Sequence, residues 1–444
     1  MKWTEEEATR PDQRVKIGVT DLDGVLRAKY VSGEKLAGAN RYGFGFCNVI
    51  FGWDIADAVY PAPLPDPGFA DAHARPDMTT LRSVPWEAGI PFVLADFRED
   101  EGFAGAVCPR SLLARVVKKA ESMGFTARFG PEYEWFTYRE TPGSLAEKDF
   151  RRLRPLTPGM FGYSGLRTSQ NGEFLGNLFE QLAAFDVHLE GLHTETGPGV
   201  LEAAVSHREA MEAADRAALL KLGVKEISYR HGLVSSFMAK PSAELPGCGG
   251  HLHQSLWRDG TNVFYAEDAE GGISQTLRQY AAGQLLLLPE IMPLFAPTVN
   301  SYKRYTEGSW AATRANWGTE NRTVALRHVP GGAENTRLET RVPGADANPY
   351  LAIGAALAAG LYGIEHALEL DSPAVTGSSY EQAIGRELPR DLGSAIEAMR
   401  GSDRARELFG GAFCDHFLRT RELEWRGFLR EVTDWETRRY FEQI

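Results

Sequence analysis

The chain has 444 residues, 43% hydrophobic and 24% charged, which are the proportions of a globular protein long enough for about two or three domains. Lys and Arg total 48 against 60 Asp and Glu, and the net charge of −12 argues against a nucleic-acid partner and against an anionic membrane surface. Four cysteines (Cys47, Cys108, Cys248, Cys414) stand far apart with no CxxC pair, which fits a reducing compartment and offers neither a disulfide framework nor a zinc site. The opening MKWTEEEATRPDQRVK lacks an apolar core, and the longest apolar run, residues 350–364, is too short and glycine-rich to span a membrane; a cytoplasmic protein is expected.

Taken in chain order, residues 15–33 read as a hairpin around Asp23-Gly24, and turn chemistry rather than a metal accounts for Asp21 and Asp23. Residues 42–60 read as aromatic and strand-like, with Asp54 in an apolar setting that demands a partner. The proline-rich residues 61–76 read as a loop, and IPFVLADF as a strand closing a small β-rich domain near residue 100. Residues 109–123 have helical periodicity, with Pro109 at the start and Gly124 just past the end. In FTARFGPEYEWFTY, Glu132 and Glu134 share one strand face, with Tyr133 and Trp135 on the other. Two neighbouring carboxylates repel unless a cation lies between them, so a metal site is preferred to a solvent-facing edge.

A helix is expected at residues 171–185, after which Glu195 and Glu202 flank the turn Gly197-Pro198-Gly199. His251 and His253 then share one face behind a glycine-rich approach, in a chain with only 10 histidines. Residues 273–294 read as helical. Residues 300–350 carry five arginines (Arg304, Arg322, Arg327, Arg337, Arg341), and TRLETR puts Arg337, Glu339 and Arg341 on one strand face. Arginine keeps its charge and its planar fork fits carboxylate and phosphate oxygens, so a buried group of them implies anionic ligands. A solvated ladder of ion pairs is the competing explanation. Asn348-Pro349 starts an Ala-rich core helix, and residues 380–444 read as helices with charged faces.

The same device recurs: functional side chains at i and i+2 of a strand. A curved antiparallel sheet would aim them all into one cavity. Five carboxylates and a histidine can hold two or three divalent cations, and oxygen-dominated ligands favour Mg²⁺ or Mn²⁺. Arginines around such metals suit a nucleoside triphosphate and a carboxylate substrate, and no GxxxxGK[ST] loop is present. The residue types therefore point to metal-dependent phosphoryl transfer to a carboxylate.

Nearly the whole chain resembles the glutamine synthetase family, through PEYEW, HTETGPGVLE, GGHLHQSL, NSYKR, WGTENRTVALR and TRLETRVPGADANPYLA in that order. The resemblance implies an α+β fold: a β-grasp N-terminal domain over residues 14–100 and a catalytic domain over residues 105–444, with a curved antiparallel sheet and flanking helices. It implies a homo-oligomer of stacked rings, a dodecamer, with active sites between neighbouring subunits. By the same resemblance Glu134, Glu195 and Glu202 match one metal site, and Glu132, His251 and Glu339 the other. Arg304 and Arg341 match the residues that hold glutamate, and Arg322 and Arg327 those on the ATP phosphates. His253 and Ser255 match nucleotide-side positions, and Gly247 a backbone contact to the substrate amino group. The implied reaction phosphorylates the glutamate γ-carboxylate with ATP, after which a nitrogen nucleophile displaces phosphate.

The departures concern that nitrogen. TEGSWAAT has Trp310 near the position of the family's flap glutamate, and Glu307 comes too early to replace it. The DGSS aspartate motif is absent, and FGWDIAD offers only Asp54 in another context. Tyr163 in FGYSG matches a tyrosine of the same pocket, and Val200 stands where a glutamine is usual. Tryptophan in place of a charged flap residue supplies an apolar wall suited to an alkyl or aryl amine. The expected activity is that of a γ-glutamyl–amine ligase of amine or polyamine assimilation. Ammonia-using glutamine synthetase is the alternative, and a non-catalytic structural member of the family is a third reading.

Overall fold

The computed structural model describes residues 3–61 and 68–444. Strands β1 (Arg14–Thr20) and β2 (Leu26–Ser32) form the expected hairpin. Asp21 builds its turn: Oδ1 accepts the amides of Asp23 (3.0 Å) and Val25 (2.9 Å), and Oδ2 accepts Arg27 Nε (2.8 Å). Asp23 instead pairs with Arg421 near the far end of the chain at 2.7 Å.

Helix α1 (Gly33–Tyr42), which periodicity did not announce, starts where Ser32 Oγ accepts the Lys35 amide. Of residues 42–60, read as strand-like, only β3 (Phe44–Cys47) is a strand. The rest turns, because Asp54 Oδ1 accepts the amides of Ala56 (2.8 Å) and Ala58 (2.9 Å), a local alternative to a sheet ladder. The loop expected at 61–76 lies partly outside the described residues, and its last part is corrected to a strand, β4 (Asp71–Pro76). Ala72 and Ala74 alternate inward there, and Pro76 stands at the strand's end, where a missing N–H is tolerated. With β5 (Arg82–Val84) and β6 (Ile90–Asp96) the sheet runs β2-β1-β6-β4-β3; β1 and β6 are parallel at its centre, and β5 pairs with β6.

Helix α2 (Pro109–Ser122) leads to the long β7 (Thr126–Tyr138), and helix α3 (Gly172–Ala184) to β8 (Leu189–Thr194) and β9 (Val200–Val205). Helix α4 (Ala210–Arg230) was not read from the sequence: its alanines are buried on several sides, so it lacks a clear amphipathic stripe. Then come β10 (Gly250–Arg258), helix α5 (Gln275–Leu287), β11 (Trp317–Thr319), β12 (Leu326–Val329), β13 (Arg337–Thr340) and helix α6 (Pro349–Glu365). Helix α7 (Gly411–Phe428) belongs to the helical C-terminal region.

The second sheet has the order β11-β12-β13-β10-β7-β9-β8 and is antiparallel apart from the parallel β11–β12 pair. It curls into an open half-barrel, helices on its convex side. This is the α+β arrangement, with a curved antiparallel sheet and flanking helices, that the resemblance implies. The N-terminal sheet packs on it with both faces: Ile17 and Val93 join the core around α2 and α6, while Val84 and Phe92 join the core around Tyr133, Trp135 and α3.

Candidate active site

Period-two alternation decides which side chains the half-barrel presents. Tyr133 and Trp135 of β7 are buried at 1% and 0% exposure beneath the sheet, which turns Glu132 and Glu134 to the concave side. Register does the rest. Glu132 stands opposite His251 across β7–β10, and Glu134 opposite Glu202 across β7–β9. His253 stands opposite Glu339 across β10–β13, and Arg327 opposite Glu339 across β12–β13.

The donor atoms of Glu132, His251 and Glu339 lie within 4.8 Å of one another. His251 Nδ1 is 3.2 Å from Glu132 Oε1 and 3.6 Å from Glu339 Oε1. Burial would raise the Glu132 carboxyl, but hydrogen bonds and charge from His251 and His253 hold it below the usual range. Glu339 is fully buried, which alone would raise its carboxyl, yet Arg341 and the two histidines bring it down to about 2. Arg327 Nη1 donates to Glu339 Oε2 at 3.1 Å and Arg341 Nη1 to Oε1 at 2.5 Å.

A second group brings Glu195 and Glu202 together with His193, again within 4.8 Å. His193 Nε2 is 3.0 Å from Glu202 Oε1, a contact that raises the imidazole pKa against the effect of burial. Sequence reasoning missed His193, although His193 and Glu195 show the same i, i+2 spacing. Glu134, expected in this group, stands on the neighbouring strand and its Oε2 accepts the Gly249 amide at 2.7 Å. Burial pushes the Glu134 carboxyl up, and the Glu202 charge adds to this against the pull of His251 and Arg304. Each group gathers carboxylate oxygens around an imidazole, and of the first group's members Arg327 and Arg341 engage only Glu339, so both groups fit a hard divalent ion such as Mg²⁺ or Mn²⁺.

Arg304 is 4% exposed, and its partners are uncharged: Nη2 donates to Val342 O, to Pro343 O (3.0 Å) and to the Tyr305 hydroxyl (3.5 Å), while Nε has no partner. A buried guanidinium without a carboxylate among the described residues is available to an anionic substrate. Gly247 lies against it: a Cβ there would come 2.6 Å from Arg304 Cγ. Arg341 Nε donates to the Arg322 carbonyl at 3.1 Å, and the Arg322 side chain is exposed. Arg327 is also tied to Glu320 at 2.5 Å. Ser255 and His253 follow along β10; Ser255 Oγ accepts Trp257 Nε1 (2.9 Å), and His253 Nδ1 accepts Arg337 Nε (3.1 Å).

Tyr163 stacks on His193 with ring centres 4.5 Å apart, and burial together with the charges of Glu195 and Glu202 raises its phenol pKa. Trp310 and Arg322 line one open cleft of about 610 Å³, with Thr319, Glu320, Asn321 and Val375. Glu307 lines a different cavity of about 290 Å³, with Tyr305, Arg314 and Glu387. Asp54 does not join the carboxylate groups; its oxygen is engaged in its own turn, within the N-terminal sheet region.

A half-barrel whose concave face carries two groups able to hold a cation, bordered by the buried Arg304 with no ion-pair partner among the described residues, marks an enzyme for anionic substrates. The chain belongs to the glutamine synthetase family: residues 106–440 match the model of the glutamine synthetase catalytic domain. It is 48% identical over 438 residues to the type-1 glutamine synthetase 2 of Dictyostelium discoideum, covering 97% of this chain and 84% of that one. It is 35% identical over 439 residues to a glutamate–isopropylamine ligase of a Pseudomonas species, covering 97% and 95%. With the gamma-glutamylethanolamide synthetase of Streptomyces coelicolor it shares 38% over 380 residues, 85% and 81% of the two chains. Among solved structures, a GmaS/ADP complex superposes with a TM-score of 0.86 at 28% identity, over 99% of this chain and 100% of that one. Among the described residues no helix is long and apolar enough to cross a membrane.

Proposed function

We propose that the protein is an ATP-dependent ligase that joins the γ-carboxylate of glutamate to an amine, within a β-grasp domain (14–100) and catalytic domain (105–444) arrangement. In the first step a glutamate γ-carboxylate oxygen attacks the γ-phosphorus of ATP, and ADP leaves. In the second the amine nitrogen attacks the acyl carbon, the C–O bond to phosphate breaks, and the nitrogen loses a proton. Arg304 and Arg341 would hold the glutamate carboxylates and Gly247 its amino group, while Arg322 and Arg327 would neutralise the transferring phosphoryl group and His253 and Ser255 would contact the nucleotide. Glu132, His251 and Glu339, and Glu134, Glu195 and Glu202 with His193, would hold Mg²⁺ or Mn²⁺, which when bound offsets phosphate charge. In a cytoplasmic homo-oligomer of stacked rings, a dodecamer, Asp54 would serve a neighbouring subunit's site, and Tyr163 would line the amine pocket.

The observation that carries the amine reading is the position of Trp310. It shares its cleft with Arg322, whereas the loop's one carboxylate, Glu307, lines another cavity. An indole beside the phosphoryl arginine favours a nucleophile with apolar surface; each buried methylene is worth about 0.8 kcal/mol. Relatives named for isopropylamine and ethanolamide point the same way. The second reading, ammonia as the nitrogen donor, is favoured by the 48% identity to a glutamine synthetase. The retained carboxylate groups and arginines weigh against a non-catalytic role.

The deciding experiment is phosphate release with ATP, Mg²⁺ and glutamate, scanning ammonia against methylamine, ethanolamine, isopropylamine, putrescine, spermidine and aniline. Strong release with one amine and little with ammonia is expected. Ammonia as best donor would replace the amine reading, and silence with every donor would sink both.

A further inference from the structure

Behind the concave face, three polar side chains close a ring inside an apolar core and a fourth donates into it. Gln254 points rearward from β10 between His253 and Ser255, and Thr340 rearward from β13 between Glu339 and Arg341; Tyr280 and Gln284 reach them from α5. Gln254 Nε2 donates to Thr340 Oγ1 (2.6 Å), Thr340 Oγ1 to Gln284 Oε1 (2.7 Å), and Gln284 Nε2 to Gln254 Oε1 (2.9 Å). The Tyr280 hydroxyl donates to Gln254 Oε1 at 2.7 Å, and Gln284 Nε2 also donates to Ala356 O of α6 at 2.9 Å. None of the four is more than 2% exposed, and every side-chain nitrogen and oxygen in the ring is partnered.

The helices that carry this ring are fixed by backbone contact. A Cβ on Gly283 of α5 would lie 2.2 Å from Ala359 O, and one on Gly363 of α6 would lie 2.0 Å from Gln279 O. One on Gly360 would strike the Tyr280 ring at 2.1 Å. Tyr280 and Gln284 therefore have little freedom to follow a sliding strand.

Leucines would fill this space at no loss of hydrophobic burial, so stability alone gives no reason for amides and hydroxyls here. What a fully paired polar ring adds is direction. Leu252, Leu256 and Leu338 flank the ring on the same buried face, and their apolar packing is non-directional, whereas the hydrogen bonds of the ring have fixed partners. A slip of one residue would turn every concave-face side chain of β10 to the rear.

We propose that Gln254, Thr340 and Gln284 are positioning residues for the cation site of Glu132, His251 and Glu339. The ring sets the β10–β13 register and with it the spacing between His251 and Glu339. The inference rests on the functional reading above and adds residues that touch neither metal nor substrate.

The test is Mn²⁺ binding to the full-length assembled protein, read directly by electron paramagnetic resonance of free Mn²⁺, without turnover. Thr340→Val keeps the shape and removes the hydroxyl; Thr340→Ser keeps the hydroxyl. Thr340→Val is expected to weaken Mn²⁺ binding by about 10- to 100-fold, the usual cost of losing support behind a ligand, with Thr340→Ser near wild type. Should Thr340→Val fail to fold, Tyr280→Phe removes one outer bond and is expected to show a smaller loss of the same sign. Wild-type affinity in the folded variant, whatever its melting temperature, would overturn the inference and reduce the ring to fold stability. A wild-type protein that binds no Mn²⁺ would overturn the functional reading and this inference together.

Discussion

Glu134 stands directly opposite Glu202 across paired strands β7 and β9, and burial holds the Glu134 carboxyl above its ordinary range. Like charges face to face in a sheet destabilise it, and the arrangement becomes favourable when a divalent cation is shared. Adding Mn²⁺ should therefore raise the unfolding temperature; a ligand at 100 times its Kd adds about 2.7 kcal/mol. Glu134→Gln should unfold no earlier than wild type without metal, because its amide oxygen can still accept the Gly249 N–H, and should lose most of the Mn²⁺ shift. Calorimetry with and without Mn²⁺ checks this. A metal-free variant clearly less stable than wild type would show that the carboxylate is structural.

Arg304 depends on a missing side chain. Gly247 presses its Cα side against the Arg304 stem, and Gly247→Ala would put a methyl 2.6 Å from Cγ and 2.8 Å from the Ala239 carbonyl. The carbonyl cannot yield, so the guanidinium must. Its displacement from a glutamate carboxylate should raise the KM for glutamate about tenfold or more, a loss of 1.4 kcal/mol or above. The KM for ATP should stay within about twofold. Equal changes in both constants would mean that Gly247 serves the fold and not the substrate.

Trp310 is 65% exposed and adopts φ 61°, a conformation disfavoured for a bulky side chain. The indole lines the cleft that Arg322 also lines. Trp310→Gly should leave stability unchanged or slightly higher, since glycine accepts that φ freely. It should raise the KM for an alkylamine such as isopropylamine about tenfold while changing the KM for ammonia little. Steady-state phosphate release on both donors decides; equal losses on both would end the apolar-wall reading.

What the sequence made legible follows from strand geometry. Glu132, His251 and Glu339 each sit at an i, i+2 spacing on a strand, and pleating carries that spacing directly into a shared face. His193 obeys the same rule beside Glu195, so its place in the second group was equally legible. That Glu134 turns its Oε2 to the Gly249 amide was not legible, because the two residues lie 115 positions apart in the chain. Residues 42–60 misled because aromatic density mimics a strand, whereas Asp54 folds the backbone onto its own carboxylate. That Trp310 and Glu307 would face different cavities has no periodic signature at all, since loops do not repeat.

His416 supplies one pH dependence. From α7 its Nε2 donates to Phe51 O of the N-terminal region at 2.6 Å, and the Phe103 ring meets it edge-on at 4.9 Å. Burial lowers its pKa from 6.5 to about 4, the neighbouring Arg419 and Arg421 acting in the same direction and the Phe51 bond against it. Between those two values the unfolded chain binds the proton and the folded one does not, so stability falls as the pH drops. From neutral pH to about pH 4.5 this one group should cost about 2.5 kcal/mol. His416→Gln keeps an N–H donor for Phe51 but cannot titrate. Its urea-unfolding free energy, followed against pH at fixed protein concentration without metal, should therefore decline less than that of wild type by about that amount. The carboxylates titrate alike in both proteins and cancel in the difference. Superimposable pH profiles would mean that His416 takes up its proton in the folded state as readily as in the unfolded chain, and that the seam between α7 and the N-terminal sheet does not exclude charge.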